Sequence, residues 1–269
     1  MQLIPVLTLC VYLGEREVFS QTPVGRHSKK ETVIMIMPSD KEYTQTKRIV
    51  LGSEKMKPEF IQLAEWIDKT FGVKTINIIY DTLYDNKPRI QICFEFEKEK
   101  QKFLTNDISY FDKEKQKQIA DKFKETIEQQ GLSKATNSLL TFFKTKQNGQ
   151  YLTENVFVIY GAFEPVSKQE ATYKITKELT DKFISSFNNK DIWTISIGFT
   201  IPTFFMFTDE KIKEYDKPEI KSIWADKFYE FVKPFDEFNY FKREDIQVFI
   251  DSKENFDNNY ESNWYYYYK

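Results

Sequence analysis

Histidine is nearly missing from this chain, His27 being the single one among 269 residues. A histidine metal cage and a histidine-based catalytic pair both need more than that, so neither is expected from the folded body. Cysteine is scarce as well. Cys10 and Cys93 lie far apart, and Cys93 falls inside a predicted strand, so neither a disulfide framework nor a thiolate metal site is suggested. With 8 glycines, repeated glycine-lined ligand loops are not expected. An excess of either charge is also lacking: 39 Lys and Arg stand against 41 Asp and Glu, a formal net charge of -2. The field of the whole protein therefore favours neither nucleic acid nor an anionic membrane. No G-x-x-x-x-G-K, G-x-S-x-G, H-E-x-x-H or C-x-x-C pattern occurs, and no cofactor or metal is implied.

What the chain does have is aromatic residues, 17% of the total, within a hydrophobic content of 41% that suffices for a substantial core. The most apolar stretch is residues 191–208, DIWTISIGFTIPTFFMFT. At period two Trp193, Ile195, Ile197 and Phe199 share one face, with Thr194, Ser196 and Gly198 on the other, which predicts a strand. Past Ile201-Pro202 a second strand follows, Phe205 and Phe207 pointing one way and Phe204 and Met206 the other. With apolar residues on both faces, this hairpin is expected in the middle of a sheet, covered on both sides.

The remaining elements fall in order. Residues 3–13 (LIPVLTLCVYL) form an apolar run too short to span a bilayer as a helix. Without a preceding Lys or Arg, and with Glu15, Arg16 and Glu17 next, it reads as a retained packing segment, the alternative being a targeting segment. Residues 21–32 read as a linker. Residues 32–37 are a strand candidate. A helix then starts at Pro58 with Phe60, Leu63, Ala64, Ile67 and Phe71 at helical spacing, and stops at Gly72. Residues 75–81 and 90–97 read as a hairpin, with Ile90, Ile92, Phe94 and Phe96 on one face. A second helix over 112–130 carries Ile119, Phe123 and Ile127, and residues 138–144 are a last strand candidate.

The same order recurs. Residues 155–160 read as a strand, and Ser167-x-x-Glu170 as a capping box opening a helix with Ile175, Leu179, Phe183 and Phe187. The central hairpin follows, then a helix from Asp216 with Ile220, Ile223, Trp224, Phe228 and Phe231, ended by Pro234. Residues 245–251 read as a closing strand. Two word matches accompany the repeated order: Ala120-Asp121-Lys122-Phe123 with Ala225-Asp226-Lys227-Phe228, and Phe94-x-Phe96 with Phe205-x-Phe207. The expected fold is α+β: two tandem ferredoxin-like (βαββαβ) pseudo-repeats with mainly antiparallel sheets. The expected division is an N-terminal segment and linker over 1–31, a first half over 32–150 and a second over 151–269.

The tail, residues 256–269 (FDNNYESNWYYYYK), reads as a final strand that completes the sheet. Alternation would then set Trp264, Tyr266 and Tyr268 on one face. Those three, with Phe204 and Met206 on the bare sheet face, are the candidate partner- or ligand-binding residues. The carboxylate pairs Glu95 with Glu97, Asp209 with Glu210 and Asp236 with Glu237 are expected at solvated faces, as is the charged run 97–102. Nucleic acid is not an expected partner: Glu95 and Glu97 would repel phosphate, and no Lys or Arg occurs between Asp191 and Thr208. The expected function is a non-enzymatic binding protein, its partner another protein, acting through a sheet face or aromatic cleft. The alternatives are an enzyme with a carboxylate and a tyrosine between the halves, and a structural subunit of a larger assembly. No transmembrane span is expected, and the expected address is cytoplasmic, or exported if residues 1–20 are a signal segment.

Overall fold

The computed structural model describes residues 37–83, 86–105, 110–134, 149–198 and 200–268. Its first unit opens with helices α1 (Lys41–Val50) and α2 (Pro58–Phe71). Pro58 occupies the first turn of α2, where a missing N–H is harmless, and Gly72, at φ 64°, ends the helix in left-handed geometry. Phe60, Leu63, Ala64 and Ile67 form its buried stripe, as their spacing predicts. Strands β1 (Thr75–Thr82) and β2 (Pro88–Phe94) then pair antiparallel. Helices α3 (Glu97–Gln101) and α4 (Lys113–Gln129) carry the chain back to β3 (Phe157–Ala162), which lies parallel to β2. A parallel neighbour needs a crossover of this kind. The Asp112 carboxylate accepts the N–H groups of Glu114 and Lys115 to start α4, whose Ile119, Phe123 and Ile127 are buried.

The second unit repeats the order: α5 (Phe163–Tyr173), α6 (Lys177–Ser185), β4 (Ile192–Gly198), β5 (Ile201–Met206), α7 (Asp209–Tyr215), α8 (Pro218–Val232) and β6 (Phe249–Ser252). Again the first two strands are antiparallel and the last two parallel. The chain ends in α9 (Lys253–Tyr260) and α10 (Trp264–Tyr267). Correspondence between the units reaches single residues. Each first strand has its register shift one residue in, at Ile76 and at Trp193. In each unit a glutamate in the first turn of the helix after the third strand accepts the first N–H of the short helix after the second strand. Glu164 takes the N–H of Glu97 at 3.4 Å, and Glu254 takes that of Asp209 at 2.7 Å. Ala120 and Ala225 each lie eight residues beyond the residue that precedes their helix, so that tetrapeptide match is in step. The Phe94/Phe205 match is out of step by one, because the shared register sets Phe94 against Met206.

Each sheet is sandwiched. On one side of the first, α2 and α4 pack on Ile78, Ile90, Ile92 and Phe94. Across the sheet, α1 meets Asn77, whose amide donates to Thr46 at 3.0 Å. In the second, Phe204 stacks on Trp224 of α8 with ring centroids 4.4 Å apart. Phe205, pointing the other way, meets Phe256 of α9 and Trp264 and Tyr267 of α10. Burial of Phe204, Phe205 and Met206 is complete, as expected of a strand apolar on both faces.

Several expectations are corrected. Among the described residues the sheets are mixed and three-stranded, not mainly antiparallel, and β2 and β3 are direct neighbours, whereas the ferredoxin-like arrangement keeps a strand between its parallel pair. Phe157–Ala162, placed by sequence at the head of the second half, completes the first sheet. Only β5 of the central hairpin is central. β4 is an edge strand, which the polar alternation of Thr194, Ser196 and Gly198 already suited. Ser167 opens no helix but is buried within α5, and Thr176 caps α6 through the N–H of Leu179. Ile223 is 56% exposed on α8, its place in the buried stripe taken by Ala225 and Val232. The expected strands over 32–37 and 138–144 lie outside the described residues, apart from Met37.

Candidate functional site

Two places bring chemistry together: the seam between the units, and a cleft beside β4. At the seam the ammonium of Lys47 lies 2.7 Å from both Glu170 and Glu237, and the Tyr43 hydroxyl donates to Glu170 at 2.8 Å. Burial pushes the Glu170 carboxyl up, but the hydrogen bonds from Lys47 and Tyr43 outweigh it and hold the group below the usual carboxylate range. Burial and the hydrogen bond to Glu170 push the Tyr43 phenol well up. Tyr240, buried against Glu95, is raised for the same reasons. Stacked rings fill the rest, Tyr43 on Phe163 at 5.2 Å and Phe238 on Tyr240 at 5.7 Å. Among the described residues a cavity of about 10 Å³ is lined here by Tyr43, Thr46, Cys93, Ala162, Phe163 and Val166. That holds about one water and no substrate. Burial pushes the Cys93 thiol up to about 12, which makes it a poor nucleophile.

The cleft is larger, about 360 Å³, within the range of pockets that take ligands. Its floor is Thr194, Ile195, Ser196 and Ile197 of β4. One wall comes from the end of α5 and the start of α6, with Thr172, Ile175, Lys177, Thr180 and Asp181, and the other is Trp264. Most of its polar side chains have partners within the chain, Thr194 being an exception and Lys177 and Asp181 pairing while largely solvated. Lys177 pairs with Asp181 at 2.6 Å, Thr172 donates to the Gln169 carbonyl, and Thr180 donates to that of Thr176. Ser196 and the Tyr268 hydroxyl share a hydrogen bond of 2.5 Å.

The tail builds the Trp264 wall as a helix and not as the expected strand, and this redistributes the predicted site residues. Asn263 caps α10 by accepting the N–H of Tyr265. Helical spacing puts Trp264 and Tyr268 on one side, their rings 6.1 Å apart, and turns Tyr266 away. Trp264 stacks on Trp193 at 6.2 Å and 7° yet stays 39% exposed. Tyr266 is 46% exposed beside Tyr265. Tyr268 packs on Gly198, and Tyr267 donates to Asp251 at 2.6 Å. Phe204 and Met206 are core residues with no surface to offer.

Sequence reasoning missed the wall residues 172–181, because that stretch was read as one continuous helix and the break at 174–176 is what shapes the wall. It also missed the seam. Lys47 and Glu237 lie 190 residues apart in numbering, with no local pattern to link them. The charged run 97–102, expected to be solvated, forms α3, where the nearly buried Glu99 accepts the N–H groups of Lys74 and Phe96.

Among the described residues no group of three or more His, Cys, Asp or Glu side chains is placed to hold a metal ion, and no helix is long and apolar enough to cross a membrane. Compared with protein-family models, with curated proteins and with solved structures, the chain matches none.

Proposed function

We propose that this chain is a non-enzymatic binding protein that takes another protein at the cleft beside β4. The observation that carries this reading is Trp264, 39% exposed in the wall of a ligand-sized cleft whose charged side chains sum to zero and most of whose hydroxyls are bonded within the chain. An indole held flat on a second indole is already ordered, so it can bind with little further loss of freedom. The enzyme alternative draws less support. Among the described residues Tyr43, Tyr151, Tyr215, Tyr240 and Tyr267 each donate to a carboxylate, but none of them lines the larger cleft, and the cavity at the seam is about 10 Å³. The matched bulges, registers and glutamate braces also support descent of the two units from one duplicated ancestor.

A photo-reactive residue placed at Asp181, in the cleft wall, tests the binding role against one placed at Gln118 on the exposed side of α4. In cells of the native host the first should form a discrete protein adduct that Trp264→Ala abolishes. Equal adducts from both positions, or adducts indifferent to Trp264, would overturn the proposal.

A further inference from the structure

The cleft also carries information about the shape of its guest. We infer that it takes an extended, uncharged peptide segment of a partner protein, added as a further strand along the outer edge of β4. This rests on the cleft being the protein-binding site proposed above.

Three observations point to the strand's edge. The first is which residues form the floor. Thr194, Ser196, Ile195 and Ile197 are consecutive and alternate between the two faces of the sheet, so the cleft runs along the backbone edge. A helix lying on the sheet would meet residues of one face only. That is what happens in the first unit, where α1 meets Asn77 and Cys93, cross-strand neighbours on the same face.

The second is the position of β4 and the proline opposite it. Among the described residues β4 ends its sheet, paired on one side with β5. Pro202 faces Ile197 and has no N–H to give, which makes Ile197–Pro202 a pair without ladder bonds and Ser196–Thr203 a bonded one. Alternation then turns the N–H and C=O groups of Ile195 and Ile197 outward, into the cleft. The same register explains how a proline fits a central strand. Its missing donor points past the start of β6, whose ladder begins at Thr203.

The third is what the side chains leave available. Lys177 and Asp181 give the wall one charge of each sign and hence no net charge to select an ion, and with the hydroxyls of Thr172, Thr180 and Ser196 engaged, Thr194 is the cleft hydroxyl left to meet a guest. The outward backbone groups, Ile175 and the Trp264 ring remain. Four floor residues span about 13 Å at strand spacing. That length suits a short extended segment with apolar residues at alternate positions, main-chain bonds giving affinity and the flanking Ile175 and Trp264 giving selectivity.

The test uses the full chain and phage-displayed random heptapeptides. A selected peptide is then synthesised in three forms: unmodified, N-methylated at one set of alternate residues, and N-methylated at the other. Strand addition predicts that one methylated set weakens binding about tenfold or more while the other changes it little, because only one set faces β4. Trp264→Ala should weaken the unmodified peptide, and Ile197→Pro should do so while the chain still melts cooperatively. Since the methylation comparison uses unaltered protein, a variant that fails to fold leaves the test intact. Peptides that need Trp264 but ignore the position of N-methylation would overturn strand addition and leave the binding role standing. Selection of no cleft-dependent peptide at all would sink the binding role itself. Sedimentation showing two copies joined through β4, broken by Ile197→Pro, would overturn the peptide assignment in favour of a second copy of this chain.

Discussion

Substituting Gly198 by alanine should expose how the tail is held. A Cβ there would lie 2.5 Å from Cε1, 2.6 Å from Cζ and 2.8 Å from the hydroxyl oxygen of Tyr268, so the ring must leave. Its departure forfeits the hydrogen bond shared with Ser196, a net of about 0.5–1.5 kcal/mol. Ring contacts with Trp264 and Tyr267 go with it, at about 0.5–1.5 kcal/mol each. Against this stands a gain of about 0.4–1 kcal/mol, because alanine restricts the unfolded chain more than glycine does. The balance is a loss of about 0.5–4 kcal/mol, centred near 2, which for a chain this size lowers Tm by several degrees, at about 2–4 °C per kcal/mol. In a Tyr268→Ala background the same substitution should be neutral or mildly stabilising. Urea unfolding followed by tryptophan fluorescence over the four forms of the cycle gives the coupling directly. If the two effects simply add, within about 0.3–0.5 kcal/mol, Tyr268 does not rest on Gly198 and the account of the tail is wrong.

Other outcomes follow from the same geometry. Lys47→Met should destabilise by about 1.5–3 kcal/mol, since it strips Glu170 of a charged hydrogen bond in a partly buried place; a change under 0.5 kcal/mol in denaturant titration would mean the seam is not held there. The depressed Glu170 carboxyl makes its contribution above the ordinary carboxylate value, about pH 4.3, and loses it as pH falls through the lower folded value. Glu170→Gln should accordingly flatten the acid limb of a stability-against-pH curve, and an unchanged limb would count against the ion pair. Phe204→Ala should cost about 3–5 kcal/mol, while Ile223→Ala, on the exposed side of α8, should stay within about 0.5 kcal/mol; a reversed order would mean α8 is rotated. In a Cys10→Ser background, labelling of Cys93 by a thiol reagent should follow global unfolding, and rapid labelling of folded protein would contradict its burial.

Much of the fold could be read from local spacing. Pro58 and Gly72 bracket α2, Asp112 opens α4, and the alternation through Ile90, Ile92 and Phe94 gives β2, because each of these signals lies within one turn or one strand. Partnership between strands could not be read so. Residues 155–160 were recognisable as a strand, but nothing nearby says that they pair with Arg89–Phe94 across more than sixty residues of crossover. The tail failed for a different reason. Aromatic residues are intrinsically strand-favouring, yet the Asn263 cap and the rings already presented by Trp193 and Phe205 outweigh that preference and wind residues 264–267 into a helix. Trp264 stands out by the aromatic content of the tail and by a strand alternation that the helix does not keep. Its cleft does not, because Thr172 and Lys177 approach β4 only through the break between α5 and α6.

Helix α5 has a place in both units at once. Phe163 and Val166 pack in the seam, Ala171 belongs to the second core, Glu170 is gripped by Lys47 of α1, and Thr172 forms part of the cleft wall. Glu170 and Thr172 lie two residues apart in the last turn of α5, so the clamp and the cleft wall share one turn of helix. Lys47→Met, which releases Glu170, should therefore change binding at the cleft as well as stability, and binding that stays unchanged would show the two to be independent.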